Sequence, residues 1–282
     1  MHDLWSTVAK SSIMAGWAWS PLIYQAFERN RKVISPEETD SLPLLTLHLR
    51  RGDYADHCLK LAEWDSTYTG QSSFPEFEER DAFITPKVIK GYSNDSTPQP
   101  GDPPIVSSQD EKVKYYARHC YPDIRQVVER VREVVHDYES LVRDNKNPAA
   151  AAGDRGFQKY ENWGSKERQK KGWSGGSDKG RESVGNKSLK RIFIMTNGNR
   201  ELLQELKQAL IDDAERSKIS GETNGWEFEW TWEGVSTSRD LDLGWEEKPV
   251  GQALDMYIAQ RSELFVGNGV SCLLLERQVL KN

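Results

Sequence analysis

Two stretches of this chain combine residue types that suit an anionic ligand. The first is Leu47-His48-Leu49-Arg50-Arg51-Gly52-Asp53. In a strand, alternate side chains share a face, so Thr46, His48 and Arg50 point one way and Leu45, Leu47 and Leu49 the other. The polar residues fall at the carboxyl end, just before Gly52, which is where open α/β sheets bind ligands. A planar guanidinium there offers paired hydrogen bonds to diphosphate oxygens. The competing reading is a strand-end arginine paired with Asp53 or Asp56. Arg51-Gly52-Asp53 also spells a cell-adhesion tripeptide, which is too short to be specific.

The second stretch is Phe265-Val266-Gly267-Asn268-Gly269-Val270-Ser271-Cys272. It reads as a strand, a glycine turn and the start of a helix. The free N–H groups of a helix N-terminus favour a phosphate, and Ser271 can cap the helix or donate to the ligand. No Gly-Lys-Ser/Thr follows, so this is not a Walker loop, and the third glycine of a dinucleotide fingerprint is absent. A purely structural βα turn fits the same residues. Asp255, one helix upstream, can accept two N–H bonds from a guanine edge, or simply lie on the surface or cap a turn.

The three cysteines exclude a disulfide-dense scaffold. Cys58 and Cys120 each follow a histidine, His57 and His119, which raises zinc. Neither pair has the short spacing of usual zinc sites, so a Cys58–Cys120 disulfide is expected, tying the loop after the first strand to the start of a long helix. Cys272 stays free. Sequons at Asn94 and Asn186 fall in loop-like stretches. No Ser/His/Asp or Cys/His nucleophile arrangement stands out. Among ten tryptophans, Trp226, Trp230, Trp232 and Trp245 cluster, suiting core packing or stacking on a sugar or peptide.

These residues need elements to hold them. Residues 42–49 form a leucine-rich strand. Over residues 122–142, Ile124, Val127, Val128, Val131, Val135, Tyr138 and Val142 recur on one helical face, with Pro122 in the first turn. Arg191 to Met195 reads as a buried strand, with a cap at Asn197-Gly198-Asn199 and a helix bearing Leu202, Leu203, Leu206 and Leu210. Residues 228–232 alternate aromatics with polar residues and read as another strand. A helix over 254–260, a strand over 264–266 and a helix over 271–280 complete the series. Residues 4–30 read as helical, divided at Ser20-Pro21. Strands alternating with helices predict an α/β fold, a Rossmann-like parallel sheet covered on both faces. Residues 1–40 are expected to be a helical lead-in or interdomain bridge, and residues 41–282 the sheet domain. Residues 91–104 and 145–187 are too polar and too rich in Gly, Pro and charge to order themselves, and read as disordered insertions.

Composition narrows the function classes. The 282 residues are 37% hydrophobic and 29% charged, with a net charge of −6. That permits a core and gives no electrostatic case for nucleic acid. No run approaches the ~20 apolar residues of a membrane span, and the first residues do not read as a secretory signal.

Three blocks together resemble one family. His48-Leu49-Arg50-Arg51-Gly52-Asp53-Tyr54 resembles the His-x-Arg-Arg-Gly/Thr-Asp block of the GDP-fucose-dependent fucosyltransferases, especially the protein O-fucosyltransferase group. Ile192-Phe193-Ile194-Met195-Thr196-Asn197 resembles that family's second block, in which Asp stands where this chain has Asn197. Asp255-Met256-Tyr257-Ile258, followed by the Gly267 to Cys272 loop, resembles the third, with Cys272 in place of a second serine. Trp19-Ser20-Pro21 and His119-Cys120-Tyr121-Pro122 are similar to fungal members. The resemblance implies the C-terminal, donor-binding half of a GT-B fold, GDP-fucose as donor, and metal-independent inversion without a cofactor. It implies that His48 and Arg50 contact the donor phosphates, that Arg50 stabilises the leaving GDP, and that Asp255 reads guanine. Ser271 and Cys272 would flank the phosphates, with Arg51 and Asn268 in the same donor site. A protein or glycan acceptor and the secretory lumen are implied too. The family's Gly-rich N-terminal segment has no counterpart here, so the expectation is a fucosyltransferase or a non-catalytic GDP-sugar-binding module of the same descent.

Overall fold

The computed structural model describes residues 11, 18–36, 42–67, 83–90, 102–146, 189–219 and 230–267, with only the backbone for 141–146. Four strands form the main sheet: β1 (Leu42–Leu49), β4 (Arg191–Thr196), β5 (Gly234–Thr237) and β6 (Ser262–Gly267). Two short strands, β2 (Lys87–Val88) and β3 (Ile105–Val106), pair separately. The helices are α1 (Pro21–Ile34), α2 (Tyr54–Glu63), α3 (Gln109–Cys120), α4 (Ile124–Lys146), α5 (Arg200–Ile219) and α6 (Gly251–Arg261).

The main sheet has the order β5-β4-β1-β6, and every neighbouring pair is parallel. The chain steps outward from β1 to β4 to β5, then crosses back over β1 to lay down β6. Reversal of the strand order at β1/β6 makes that boundary the topological switch point of a doubly wound, Rossmann-like α/β sheet. Right-handed crossovers in opposite directions must put their helices on opposite faces. Accordingly α4 and α5 cover one face and α6 the other, where α1 joins it.

The leucine alternation in β1 serves both layers. Leu45, Leu47 and Leu49 pack with Val127, Val128, Val131, Val135 and Tyr138 of α4 and Leu203, Leu206 and Leu210 of α5. Leu42 and Leu44 face the other way, joining Phe193, Met195, Leu254, Ile258 and the Ile23, Ala26, Phe27 and Ile34 face of α1. Burying such an aliphatic side chain contributes about 1.5–3 kcal/mol, so five buried leucines make β1 the best-anchored strand. A third cluster lies apart from the sheet. In it α2 and α3 pack through Tyr54, Cys58, Leu61, Ala62 and Tyr116, and the Cys58–Cys120 disulfide joins them with a Cα–Cα distance of 5.9 Å.

Several expectations shift. The aromatic alternation near 228–232 is not a strand over its described residues. Trp230 and Trp232 pack beside α4 and α5 as irregular chain, and the ladder begins only at Gly234. Packing, rather than pairing, explains the aromatics there. A Cβ at Gly234 would stand 2.7 Å from Nη2 of Arg191, so any larger residue there would have to displace that guanidinium. The long helix starts at Ile124, after Pro122 rather than with it. Asp123 Oδ1 accepts from Gln126 N at 2.8 Å and Gln126 Oε1 accepts from Asp123 N at 2.9 Å, a reciprocal cap that sets the start. The disulfide ends in α2 and α3, not in a loop and the long helix, because both flanking segments are helical. Helix α4 runs to Lys146, two residues into the expected insertion, and the remainder of that segment lies outside the described residues. So do the predicted helix over 271–280 and most of 4–17. Residues 102–104 lead into β3, with Pro104 O accepting from Lys87 N at 2.8 Å. Among the described residues no helix is long and apolar enough to cross a membrane.

Candidate functional site

At the carboxyl edge of the sheet, His48 pairs in register with Met195 of β4 and Gly267 of β6. Ile194 pairs with Thr237, so Ser238 falls in line one residue further. Ser238, Met195, His48 and Gly267 thus form one row on the α6 side of the sheet. Two strand spacings of ~4.8 Å put His48 about 10 Å from Ser238. The His48–Gly267 end of this row lies at the β1/β6 switch point.

Helix α6 projects Asp255 onto the far end of that row. The Ser238 hydroxyl donates to the Asp255 carboxylate and lies 2.9 Å from both oxygens. Ser238 is itself held firmly. It opens a 3-10 turn (Ser238–Asp240) capped by Thr237, whose Oγ1 accepts from Arg239 N. Asp240 accepts from Lys207 of α5 at 2.6 Å, and Arg239 donates to the Gly198 carbonyl at 2.8 Å. The loop onward to α6 is clamped by α1. Asn30 bonds both backbone groups of Asp242, and Arg29 pairs with the buried Glu247. Asp255, on α6, therefore faces a supported turn, although burial pushes its carboxyl up to about 7, only partly countered by the Ser238 hydrogen bond.

His48 shows the opposite perturbation. Burial, then the positive charge of Arg50, lowers its imidazole to about 4, so it is neutral at pH 7. Burial favours the neutral form of both groups, with opposite consequences for stability. The unfolded chain takes up the proton that folded His48 refuses, so this group's stabilisation is lost as pH falls from about 6.5 to 4. Folded Asp255 keeps a proton that the unfolded chain sheds, so its cost grows as pH rises from about 4 to 7. The two slopes offset across the shared window. Asp255→Asn is expected to unmask a stability that rises with pH between 4.5 and 6.5. His48→Gln is expected to unmask one that falls. Urea denaturation at pH 4.5, 5.5 and 6.5 reads both, and parallel profiles for the two variants would contradict the assignment.

Beyond His48 the two arginines diverge. Arg50 is exposed, with its guanidinium 5.1 Å from the centroid of the Tyr54 ring. Arg51 is 5% exposed, lies 4.5 Å over the Tyr121 ring and donates to the Pro122 carbonyl. The sharp turn that separates them from α2 needs Gly52, whose φ is +68°.

Asn197, at the end of β4, completes the edge. Its Oδ1 accepts from Arg51 N at 2.7 Å and its Nδ2 donates to Arg51 O at 2.9 Å. One carboxamide thus mimics a strand partner where the β1–β4 ladder ends. A carboxylate can accept but not donate, and would face the Arg51 carbonyl. Asn197→Asp is therefore expected to cost about 0.5–1.5 kcal/mol, the scale of one hydrogen bond. Urea denaturation at pH 7.5 checks this, and unchanged stability would contradict it.

Of the residues singled out from sequence, the fold brings His48, Arg50 and Asp255 to one edge of the sheet and turns Arg51 toward Tyr121 and Pro122. Asn268, Ser271 and Cys272 lie outside the described residues. Sequence reasoning missed Ser238, the Asn197 bond to the Arg51 backbone, and the ring contacts of Tyr54 and Tyr121. For Ser238 the Thr-x-x-Asp capping pattern was a usable signal. The others depend on long-range pairing that no local spacing reports.

The fold and site define a doubly wound, Rossmann-like α/β domain with polar residues along the carboxyl edge of its sheet, a class that serves many ligand chemistries. Comparison with protein-family models, with curated proteins and with solved structures finds no match to this chain.

Proposed function

We propose that this chain is the donor-binding domain of a GDP-fucose-dependent fucosyltransferase, acting on a protein or glycan hydroxyl in the secretory lumen. The observation that carries the reading is the placement of opposite recognition chemistries along one carboxyl edge of the sheet. An exposed guanidinium, Arg50, ends β1, and a supported carboxyl, Asp255, stands about two strands away. A nucleoside diphosphate offers complements to both, with phosphate oxygens for the arginine and base N–H groups for the aspartate. The three sequence blocks point to guanine and fucose. The disulfide suits an oxidising compartment.

In this reading the acceptor oxygen attacks the anomeric carbon as the bond from that carbon to the β-phosphate oxygen breaks. The electron pair leaves on GDP, and the configuration inverts. Arg50 stabilises the charge that develops on the departing diphosphate, a charge larger in the transition state than in the bound donor. His48, neutral at pH 7, donates or accepts a hydrogen bond beside the phosphates without adding charge. The protein site uses no metal in this scheme, and the sequence resemblance assigns Asn268, Ser271 and Cys272 to the donor site.

Incubating the chain with GDP-fucose and following GDP release, with and without acceptor glycoprotein, tests the assignment. Acceptor-stimulated GDP release supports a transferase. GDP-fucose binding without release supports a non-catalytic module of the same descent. Absence of both contradicts the proposal.

A further inference from the structure

The disulfide and the two arginines are joined by a short physical path. Tyr54, whose ring lies beneath Arg50, opens α2 and sits one turn before Cys58. Tyr121, whose ring lies beneath Arg51, directly follows Cys120, and the next residue, Pro122, supplies the carbonyl to which Arg51 donates. Cys58 and Cys120 are bonded to each other and are 3% and 0% exposed. Each arginine of the pair thus rests on an aromatic ring, and one buried covalent bond ties the two ring-bearing segments together. Further contacts fix the same unit. Lys112 of α3 pairs with Asp65, and the Tyr116 hydroxyl donates to the Ser66 carbonyl at 2.8 Å. Phe83 packs edge-on against Tyr116, 5.0 Å between ring centroids.

We propose that the cystine-stapled α2–α3 unit is a positioning frame for the anion site, with Tyr54 orienting Arg50 and Tyr121 orienting Arg51, which in turn fixes the end of β1. This inference rests on Arg50 contacting the donor diphosphate. Tyr54 and Tyr121 are positioning residues, because they act through the guanidinium groups above them. An exposed arginine loses side-chain entropy on gripping a ligand, and a ring that holds its guanidinium beforehand reduces that loss. The apolar cluster of the frame is separate from the two sheet layers.

The test is calorimetric titration of GDP into the full chain, its disulfide intact, and into Tyr54→Leu, Tyr54→Phe, Tyr121→Leu, Arg50→Ala and the Tyr54→Leu/Arg50→Ala pair. Circular dichroism checks the folding of each. Removing a cation–aromatic contact is expected to weaken GDP about three- to tenfold in Tyr54→Leu, and the ring of Tyr54→Phe restores affinity. Tyr121→Leu, on the other arm of the staple, weakens GDP in the same direction. In the Arg50→Ala background Tyr54→Leu has no further effect. Should Arg50→Ala weaken GDP while Tyr54→Leu and Tyr121→Leu leave it unchanged, the frame fails and the donor reading stands. The frame also fails if Tyr54→Leu and Tyr54→Phe weaken GDP equally, or if the Tyr54→Leu effect persists without Arg50. Unchanged affinity in Arg50→Ala overturns both readings together.

Discussion

Arg50→Ala is expected to weaken GDP binding about 10- to 100-fold, the scale of charge-assisted hydrogen bonds worth about 1.5–3 kcal/mol. The side chain is exposed and lies over the Tyr54 ring, so its removal opens no buried cavity. The loss should therefore appear in affinity and not in thermal stability. Arg50→Lys separates charge from shape. An ammonium keeps the positive charge but not the planar fork, and is expected to recover only part of the affinity. High salt should narrow the gap between wild type and Arg50→Ala, because screening weakens the attraction that the variant has already lost. Equal GDP affinities for wild type and Arg50→Ala would remove Arg50 from the site.

Replacing Cys58 and Cys120 together by alanine carries the largest expected stability effect. The bond closes a loop of 62 residues. In the chain-entropy account of cross-links, a loop of that size corresponds to about 4 kcal/mol. Burial adds to the consequence, because both sulfurs pack among Tyr54, Leu61, Ala62 and Tyr116 in a cluster with few other hydrophobic members. That small cluster cannot draw on the sheet layers for support. For a chain of this size the loss should lower the melting temperature by about 8–16 °C. Scanning calorimetry of wild type and double variant checks it, and unchanged melting would mean that the α2–α3 unit holds without its staple. Wild type melted with a dithiol reductant should converge on the double variant.

How much of this was legible in sequence follows the range of the interactions. Strand β1 was readable because its leucines face both layers, giving a near-continuous apolar run bounded by Gly52. The α4 and α5 faces were readable from 3.6-residue periodicity: Val127, Val128, Val131, Val135, Tyr138, Leu203, Leu206 and Leu210 pack as their spacing implied, Leu202 is only half-buried, and the Val142 side chain lies outside the described residues. Helices α2 and α3 were not read, although Ser108 caps α3 by accepting from Glu111 N in a Ser-x-x-Glu pattern. Their apolar faces are short and serve a satellite cluster, so periodicity was weak. The aromatic run near Trp230 misled because large rings satisfy burial without entering a ladder. At the site, His48 and Arg50 were legible from alternation at a strand end. The support for Asp255 was not, since Ser238 is placed by β5, Lys207 and Gly198 together. Asn197 stood in the sequence as a departure from an expected aspartate. Its two-way bond with the Arg51 backbone gives that departure a structural reason.

Titrating GDP into the wild-type chain by calorimetry, with ADP as the comparison ligand, tests the central claim most directly. In the proposed function Arg50 would meet the diphosphate of either nucleotide, whereas Asp255 would distinguish the guanine edge, with its paired N–H donors, from adenine. The prediction is saturable GDP binding that is at least about tenfold tighter than ADP, as buried hydrogen-bond recognition allows, with that preference lost in Asp255→Ala. No heat and no saturation at millimolar GDP, or equal affinity for the two nucleotides, would contradict it.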